Sequence, residues 1–382
     1  MPLRVVQSCR IGLRSSSSTL NHHARPLTTL QSRTLQTSLT STPPVSSGQS
    51  FGGARTATTV STPRFVKIVE CGVRDGLQNE PNTVSVETKL ELLERLANAG
   101  LRAIESGAMV SKKAVPQMAT TAEVLRGLKP HTGVAYPVLV PNVKGLENLL
   151  QLLKSIKEGD GGREAVDEIA IFTAASDSFN KANTNKSVAD SLIELEKVTQ
   201  LALDYKLRVR GYVSTVITCP FEGKVRPKRV KEVGKALLDM GCYEVSLRDT
   251  VGTGTSETVT ALMDEVAIAL PMNKIAVHNH DTYGMAVANV LTALKYGVRT
   301  VDSSVSSCWS RWMSILSGAT GNAATEDLVH ALHGAGYETG VDLRKLVATG
   351  EWISEVLGRR NESRAGRGWS ARWKREETKK AA

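Results

Sequence analysis

Acidic residues are missing from the start of the chain: no Asp or Glu occurs between Met1 and Val69, although the 382 residues contain 38 of them. Arg4, Arg10, Arg14, Arg25, Arg33, Arg55 and Arg64 punctuate that stretch on a Ser/Thr-rich background. It has no compact apolar core of the kind a secretory signal needs, and no later run is long enough to span a membrane. An Arg-rich, Ser-rich, acid-free segment is the composition of an organellar transit peptide, so residues 1–64 are expected to be a disordered targeting segment, cleaved before Arg64.

Cysteine is also sparse. The five (Cys9, Cys71, Cys219, Cys242 and Cys308) form no C-x-x-C pair, which excludes a disulfide framework and implies a reducing compartment. No Gly-x-Gly-x-x-Gly follows the first apolar run, which argues against a doubly wound dinucleotide-binding sheet. The net charge of +10 comes partly from a second basic concentration, Arg359 to Lys380, in which Trp369 and Trp373 are interleaved. No nucleic-acid-binding motif surrounds it, so residues 358–382 are expected to be a solvated, disordered tail rather than a nucleic-acid surface.

What is present is a regular alternation. Strand-like runs at 66–70, 102–105, 135–140, 168–172, 208–213, 243–247, 275–280 and 300–304 alternate with amphipathic helical runs at 88–99, 117–128, 143–156, 188–205, 227–240, 256–269, 285–296 and 323–332. Gly100 is placed to cap the first helix, and Pro227 opens another where no N–H is missed. Eight strand-then-helix units over 65–357 predict an α/β fold of the TIM (β/α)8 barrel type, with an extra C-terminal helix at 342–357.

A barrel of this kind builds its site at the C-terminal strand ends, and polar residues collect there. They are Arg74 and Asp75 after strand one, Glu105 on strand two, Tyr212 on strand five, Asp249 and Thr250 on strand six, His278 and His280 on strand seven, and Asn322 after strand eight. Alternate residues of a strand face one way, so His278 and His280 present both imidazoles to one side. Asp75, His278, His280 and the Asn322 amide make a mixed O/N donor set without thiolate, suited to Mg²⁺ or Mn²⁺ rather than to a closed zinc site. Such a metal can polarise a carbonyl and a hydroxyl together. Arg74 can stabilise an enolate oxygen, and Asp75 or a neighbour can move a hydroxyl proton. Carbon–carbon bond making or breaking beside a carbonyl needs this equipment.

The runs Arg74-Asp75-Gly76-Leu77-Gln78-Asn79-Glu80, Val115-Pro116-Gln117-Met118, Arg210-Gly211-Tyr212-Val213-Ser214, His278-x-His280-Asp281-Thr282-Tyr283-Gly284 and Gly321-Asn322-x-Ala324-Thr325-Glu326-Asp327 resemble hydroxymethylglutaryl-CoA lyases from about Phe65 to Leu357. The resemblance implies Mg²⁺- or Mn²⁺-dependent retro-Claisen cleavage of 3-hydroxy-3-methylglutaryl-CoA to acetoacetate and acetyl-CoA, as in leucine degradation and ketone-body formation. It also implies a mitochondrial matrix location, an acyl-CoA substrate and a homodimer, with no nucleic-acid or membrane partner. Carried over residue by residue, Asp75, His278, His280 and Asn322 become metal ligands and Arg74 binds the substrate carbonyl and enolate. Glu105 orients Arg74, while Gln78, Asn183, Ser187, Tyr212, Asp249 and Thr250 shape the pocket.

Two departures matter. Arg248 stands where the family has a glycine. Residues 306–317 (Ser-Ser-Cys-Trp-Ser-Arg-Trp-Met-Ser-Ile-Leu-Ser) replace a glycine-rich loop whose cysteine handles the proton of the acetyl-CoA carbanion. Read one base later, with permissible codons, Cys308 to Ser317 becomes Ala-Gly-Leu-Gly-Gly-Cys-Pro-Tyr-Ser-Pro, which points to a local frameshift. If the printed loop is genuine, the alternatives are a related lyase or Claisen synthase acting on another acyl-CoA or a 2-oxo acid, or a barrel with impaired catalysis.

Overall fold

A computed structural model describes residues 64–159, 162, 164–307 and 321–381. Residues 1–63 of the targeting segment and 308–317 of the replaced loop lie outside the described residues, so neither reading is addressed by the structure.

The first strand, β1 (Lys67–Glu70), is followed by helix α1 (Val86–Asn98). Strand two comes as two short pieces, β2 (Ala103–Ile104) and β3 (Gly107–Ala108), before α2 (Thr121–Gly127). Then come β4 (Val138–Leu139), α3 (Val143–Gly159), β5 (Glu168–Ala174), α4 (Asp177–Thr184), α5 (Val188–Asp204) and β6 (Arg208–Ser214). A small hairpin, β7 (Thr218–Cys219) and β8 (Gly223–Lys224), precedes α6 (Pro227–Asp239). The chain continues with β9 (Glu244–Asp249), α7 (Ser256–Ala267), β10 (Ile275–Asn279), α8 (Ala286–Lys295), β11 (Thr300–Ser303), α9 (Thr325–Gly334), α10 (Leu343–Val356) and α11 (Arg364–Ala381).

The main sheet is parallel, in the order β2-β1-β11-β10-β9-β6-β5-β4-β3. Its two ends belong to one stretch of chain. Between β2 and β3, the Glu105 N–H donates to the Glu70 carbonyl and the Ser106 N–H to the Pro137 carbonyl, each at 2.9 Å. The segment 103–108 therefore pairs with β1 on one side and β4 on the other, and the curled sheet closes into the expected eight-membered ring.

Local chemistry accounts for the elements. The Ser85 hydroxyl accepts the Thr88 N–H at the start of α1, and Leu92, Leu93 and Leu96 bury its inner face. Gly100 follows that helix at φ 97°, a left-handed position that favours glycine. The apolar inner residues of the strands, such as Ile169, Ile171, Val245 and Val301, are fully buried against the helix layer.

The structure corrects the expected disordered tail. Residues 364–381 form a helix resting on α9 and α10. The Ser363 hydroxyl accepts the Gly366 N–H at 2.8 Å, and Asp327 accepts the Ala365 N–H at 2.6 Å, so the helix start is capped twice. Trp369 and Trp373 stack at 5.1 Å, and the Trp369 indole N–H donates to His330. The basic residues that made this segment read as solvated occupy the outer face, while Gly366 and Ser370 face inward. Helix α4 and the β7–β8 hairpin were also unexpected; α4 spans only eight residues, and the hairpin strands are two residues each.

Two carboxyls are buried behind the strand-eight end. Glu70 accepts from the Gly72 and Val305 N–H groups and the Thr325 hydroxyl, and burial raises it to about 7. Glu326 accepts from the Ser306 N–H and Asn361, and burial raises it to about 8. A carboxyl raised on folding keeps its proton in the folded chain after the unfolded chain has lost it. Its contribution is complete below about pH 4.5 and disappears as pH rises through 7 and 8. Between pH 6 and 9 the protein is therefore expected to lose a few kcal/mol of stability, at about 1.4 kcal/mol per pH unit for each protonated group. Glu326→Gln should flatten that dependence in urea melts; an unchanged slope would remove Glu326 from the account.

Candidate active site and metal centre

Directly after β1 the chain turns through one wide helical turn, Gly72–Gly76, in which the Arg74, Asp75 and Gly76 N–H groups all aim at the Cys71 carbonyl. Such π-type turns are uncommon and gather at functional sites. Here the turn directs Arg74 and Asp75 into the mouth of the ring. Gly72 is required because a Cβ there would lie 2.6 Å from Glu70 Oε1.

Asp75, His278 and His280 converge. One donor atom from each lies within 4.8 Å of the others, and all three residues are buried. Asn322 joins them: its amide oxygen lies 2.7 Å from His278 Nε2, and its amide N–H donates to Asp75 Oδ2 at 2.9 Å. A bridge between His280 and Asn322 brings the two segments together. Burial alone would raise the Asp75 carboxyl, but Arg248 and Arg74 hold it well below the ordinary carboxylate range. Burial, with Arg248 alongside, holds His280 neutral. An ionised carboxylate, imidazole lone pairs and an amide oxygen are the donor chemistry a divalent cation needs, so the residues fit a metal.

Arg74 is itself buried. Its Nε donates to Glu105 Oε2 at 2.7 Å and its Nη1 to Asp75 Oδ1 at 2.8 Å. The other Glu105 oxygen accepts the Tyr212 hydroxyl at 2.9 Å, and Tyr212 accepts from Arg210 at 2.6 Å. Glu105, Arg74 and Tyr212 therefore form one continuous network with the Asp75–His278–His280 cluster.

Other expected residues stand differently. Both Asp249 oxygens accept backbone N–H groups, of Gly252 at 3.0 Å and Gly254 at 2.7 Å, so its side chain anchors the loop after β9. The Thr250 hydroxyl accepts the Thr215 N–H and ties the ends of β6 and β9 together. Ser187 caps α5 and lines an open groove of about 900 Å³ with Lys181, Lys186 and Lys197, while Asn183 bonds back to the Phe179 carbonyl on α4. The structure does not bring Asn183 or Ser187 to the cluster by any described hydrogen bond. Gln78 sits half-buried one turn beyond Asp75.

A layer beneath the site was not read from the sequence. Asp302 on β11 lies 3.3 Å from His278 Nδ1, accepts Ser246 at 2.7 Å and is doubly bonded by Arg210 at 2.7 and 3.1 Å. Despite full burial, Arg210 and His278 keep Asp302 well below its ordinary range. The available signal was a charged residue placed within a strand-forming run rather than beyond its end, seen three times, in Arg210, Glu244 and Asp302. With Nδ1 turned to Asp302, His278 offers Nε2 to the site.

The HMGL-like family matches residues 65–353. The cytoplasmic 3-hydroxy-3-methylglutaryl-CoA lyase of Mus musculus is 43% identical over 323 residues, covering 83% of this chain and 90% of that protein. The mitochondrial hydroxymethylglutaryl-CoA lyase of Bos taurus is 46% identical over 302 residues, covering 79% and 89%. Among solved structures, hydroxymethylglutaryl-CoA lyase from Pseudomonas aeruginosa superposes with a TM-score of 0.75 at 43% identity, covering 81% of this chain and 99% of that one. An HMG-CoA lyase from Acinetobacter baumannii, solved with coenzyme A and 3-methylmalate, gives 0.71 at 28% identity, covering 80% and 95%. With its closed parallel ring, its Arg-Asp turn and its His-x-His strand end, the chain belongs to the HMGL-like family.

Proposed function

We propose that the chain cleaves 3-hydroxy-3-methylglutaryl-CoA to acetoacetate and acetyl-CoA. The observation that carries this reading is the single network joining Arg74 and Glu105 to Asp75, His278, His280 and Asn322. Asp75, His278, His280 and Asn322 would hold Mg²⁺ or Mn²⁺, and the bound cation would polarise the substrate's hydroxyl and carbonyl oxygens. Everything else falls to side chains. Asp75 is kept ionised, so its carboxylate stands in proton-accepting form at neutral pH when the tertiary hydroxyl gives up its proton, while neutral His280 keeps the lone pair a cation needs. As the carbon–carbon bond breaks, the electron pair moves onto the thioester and negative charge grows on its oxygen. Arg74, fixed by Glu105, meets that charge with a guanidinium that needs no reorganisation. The enolate carbon must then be protonated to release acetyl-CoA.

Asp302 acts through His278. Asp302→Asn is expected to weaken Mn²⁺ binding about 10- to 100-fold, as loss of a carboxylate behind a ligating histidine commonly does. An unchanged Mn²⁺ titration would make Asp302 purely a packing residue.

Asp249 and Thr250 are assigned to shaping the loop beside the site, and Asn183 and Ser187 to its rim. The Arg-rich, acid-free composition of residues 1–64 supports a mitochondrial matrix address, which imaging of the full chain fused to a C-terminal fluorescent protein would test. For the activity, purified protein with Mg²⁺ or Mn²⁺ is given 3-hydroxy-3-methylglutaryl-CoA, and products are separated. Equimolar acetoacetate and acetyl-CoA are expected. Turnover of a different acyl-CoA, with none of this one, would overturn the assignment.

A further inference from the structure

One side chain in the cluster belongs to no ligand set. Arg248, on β9, reaches across the mouth of the ring. Its Nη2 donates to Asp75 Oδ2 at 2.8 Å and lies 2.9 Å from His280 Nε2. These residues are two of the three that converge on the candidate cation position. A guanidinium nitrogen thus fills the coordination face of both a carboxylate and an imidazole. The contact with His280 requires Nε2 to accept, which leaves the ring proton on Nδ1.

The fit is incomplete at two atoms. Arg248 Nε and His280 Nδ1 are both buried without a hydrogen-bond partner. Arg248 pairs with Asp75 at the expense of unmet donors at each end of the contact, which lowers the barrier to exchanging it for another cation. Arg248 is also the more exposed partner, with 17% of its side chain open against 8% for Asp75. It can leave toward solvent without disturbing the Arg74–Glu105 pair on the opposite side of Asp75.

We propose that Arg248 is an internal stand-in for the divalent cation: in the metal-free chain its guanidinium caps Asp75 and His280, and metal binds only as Arg248 withdraws. The proposal rests on the metal reading given above. It makes metal affinity a competition in which each Mn²⁺ ion must displace a tethered positive charge. It also assigns Arg248 a benefit, since the metal-free chain would otherwise hold Asp75 with one fewer partner.

The test is calorimetric titration of the full-length protein with Mn²⁺, alongside thermal melts with and without the ion. Arg248→Met keeps the aliphatic stem and removes the charge; Arg248→Gln, a second variant, keeps polarity if the first proves poorly soluble. Wild type is expected to bind Mn²⁺ at least 10-fold more weakly than either variant. Both variants are expected to melt below wild type without metal and to gain more than wild type on saturation. His278→Ala serves as the site control and should abolish the high-affinity heat signal. Equal or weaker Mn²⁺ binding by both variants overturns the proposal and leaves the metal site standing. No Mn²⁺ binding in any form, with acyl-CoA cleavage still observed, removes the metal reading and this proposal together.

Discussion

Arg74→Met is expected to lower kcat by about 10²–10³, the loss that follows removal of one preorganised donor to a developing oxyanion. The same change should destabilise the fold by about 3–5 kcal/mol, because it breaks a buried ion pair and leaves a carboxylate behind. Glu105 is 1% exposed, and with Arg74 gone it would retain only the Tyr212 hydroxyl. Asp75 would keep Arg248 and Asn322. The two effects can be separated with a companion substitution. Glu105→Gln removes the stranded charge, so Arg74→Met/Glu105→Gln should regain much of the lost stability in a denaturant melt. It should regain none of the lost kcat, because no guanidinium then faces the thioester oxygen. A double variant that recovers both would show that Arg74 matters only as a structural partner of Glu105.

The parts of this site that the sequence disclosed were those whose geometry follows from a period. His278 and His280 lie two residues apart on a strand, so a shared face is dictated by the pleat, and the structure has them on one face. The eight strand-and-helix units were legible for the same reason, and the ring closes through residues 103–108. What stayed hidden depends on long-range meeting or on capping. Asp302 and Arg210 are 92 positions apart and pair only because β11 and β6 face each other across the ring. Asp249 read as a site residue because it ends a strand, yet the glycines just beyond it supply the N–H groups that occupy its oxygens. The tail read as solvated from its charge, which ignored Ser363 as a cap and the Trp369–Trp373 face. Arg248 was visible as an odd residue, but that it spans Asp75 and His280 could be seen only with all three side chains placed.

Replacing residues 308–317 with Ala-Gly-Leu-Gly-Gly-Cys-Pro-Tyr-Ser-Pro is expected to raise kcat by about 10²–10⁴, the usual worth of a positioned proton donor. The described residues on either side explain why this segment bears on the chemistry. Its N-terminal flank, Ser306 and Ser307, is buried at φ 61° and 46°, a left-handed conformation uncommon for serine. It is held there by Glu326 on the Ser306 N–H, by Ser354 at 2.6 Å, and by the Ser307 hydroxyl donating to the Asn322 carbonyl at 2.9 Å. Its nearest described C-terminal neighbours are Gly321 and Asn322, of which Asn322 touches His278 and Asp75. Both described flanks are therefore tied beside His278 and Asp75, where on the proposed function the enolate forms and its carbon needs a proton. A cysteine between them, on glycines that allow close backbone approach, can supply it. The printed sequence has two tryptophans and no glycine in those ten positions. Changing the restored cysteine to serine in the replaced loop should cancel most of the gain, which assigns the effect to the thiol rather than to loop shape. Sequencing the transcript across Val301 to Asn322 gives the complementary answer. A transcript encoding the glycine–cysteine loop makes the replaced chain the natural enzyme. If the transcript encodes residues 308–317 as written, the frameshift idea fails; equal kcat for both loops would show that the enolate takes its proton from elsewhere, and the remaining groups positioned to give one are those around Asp75 and His280.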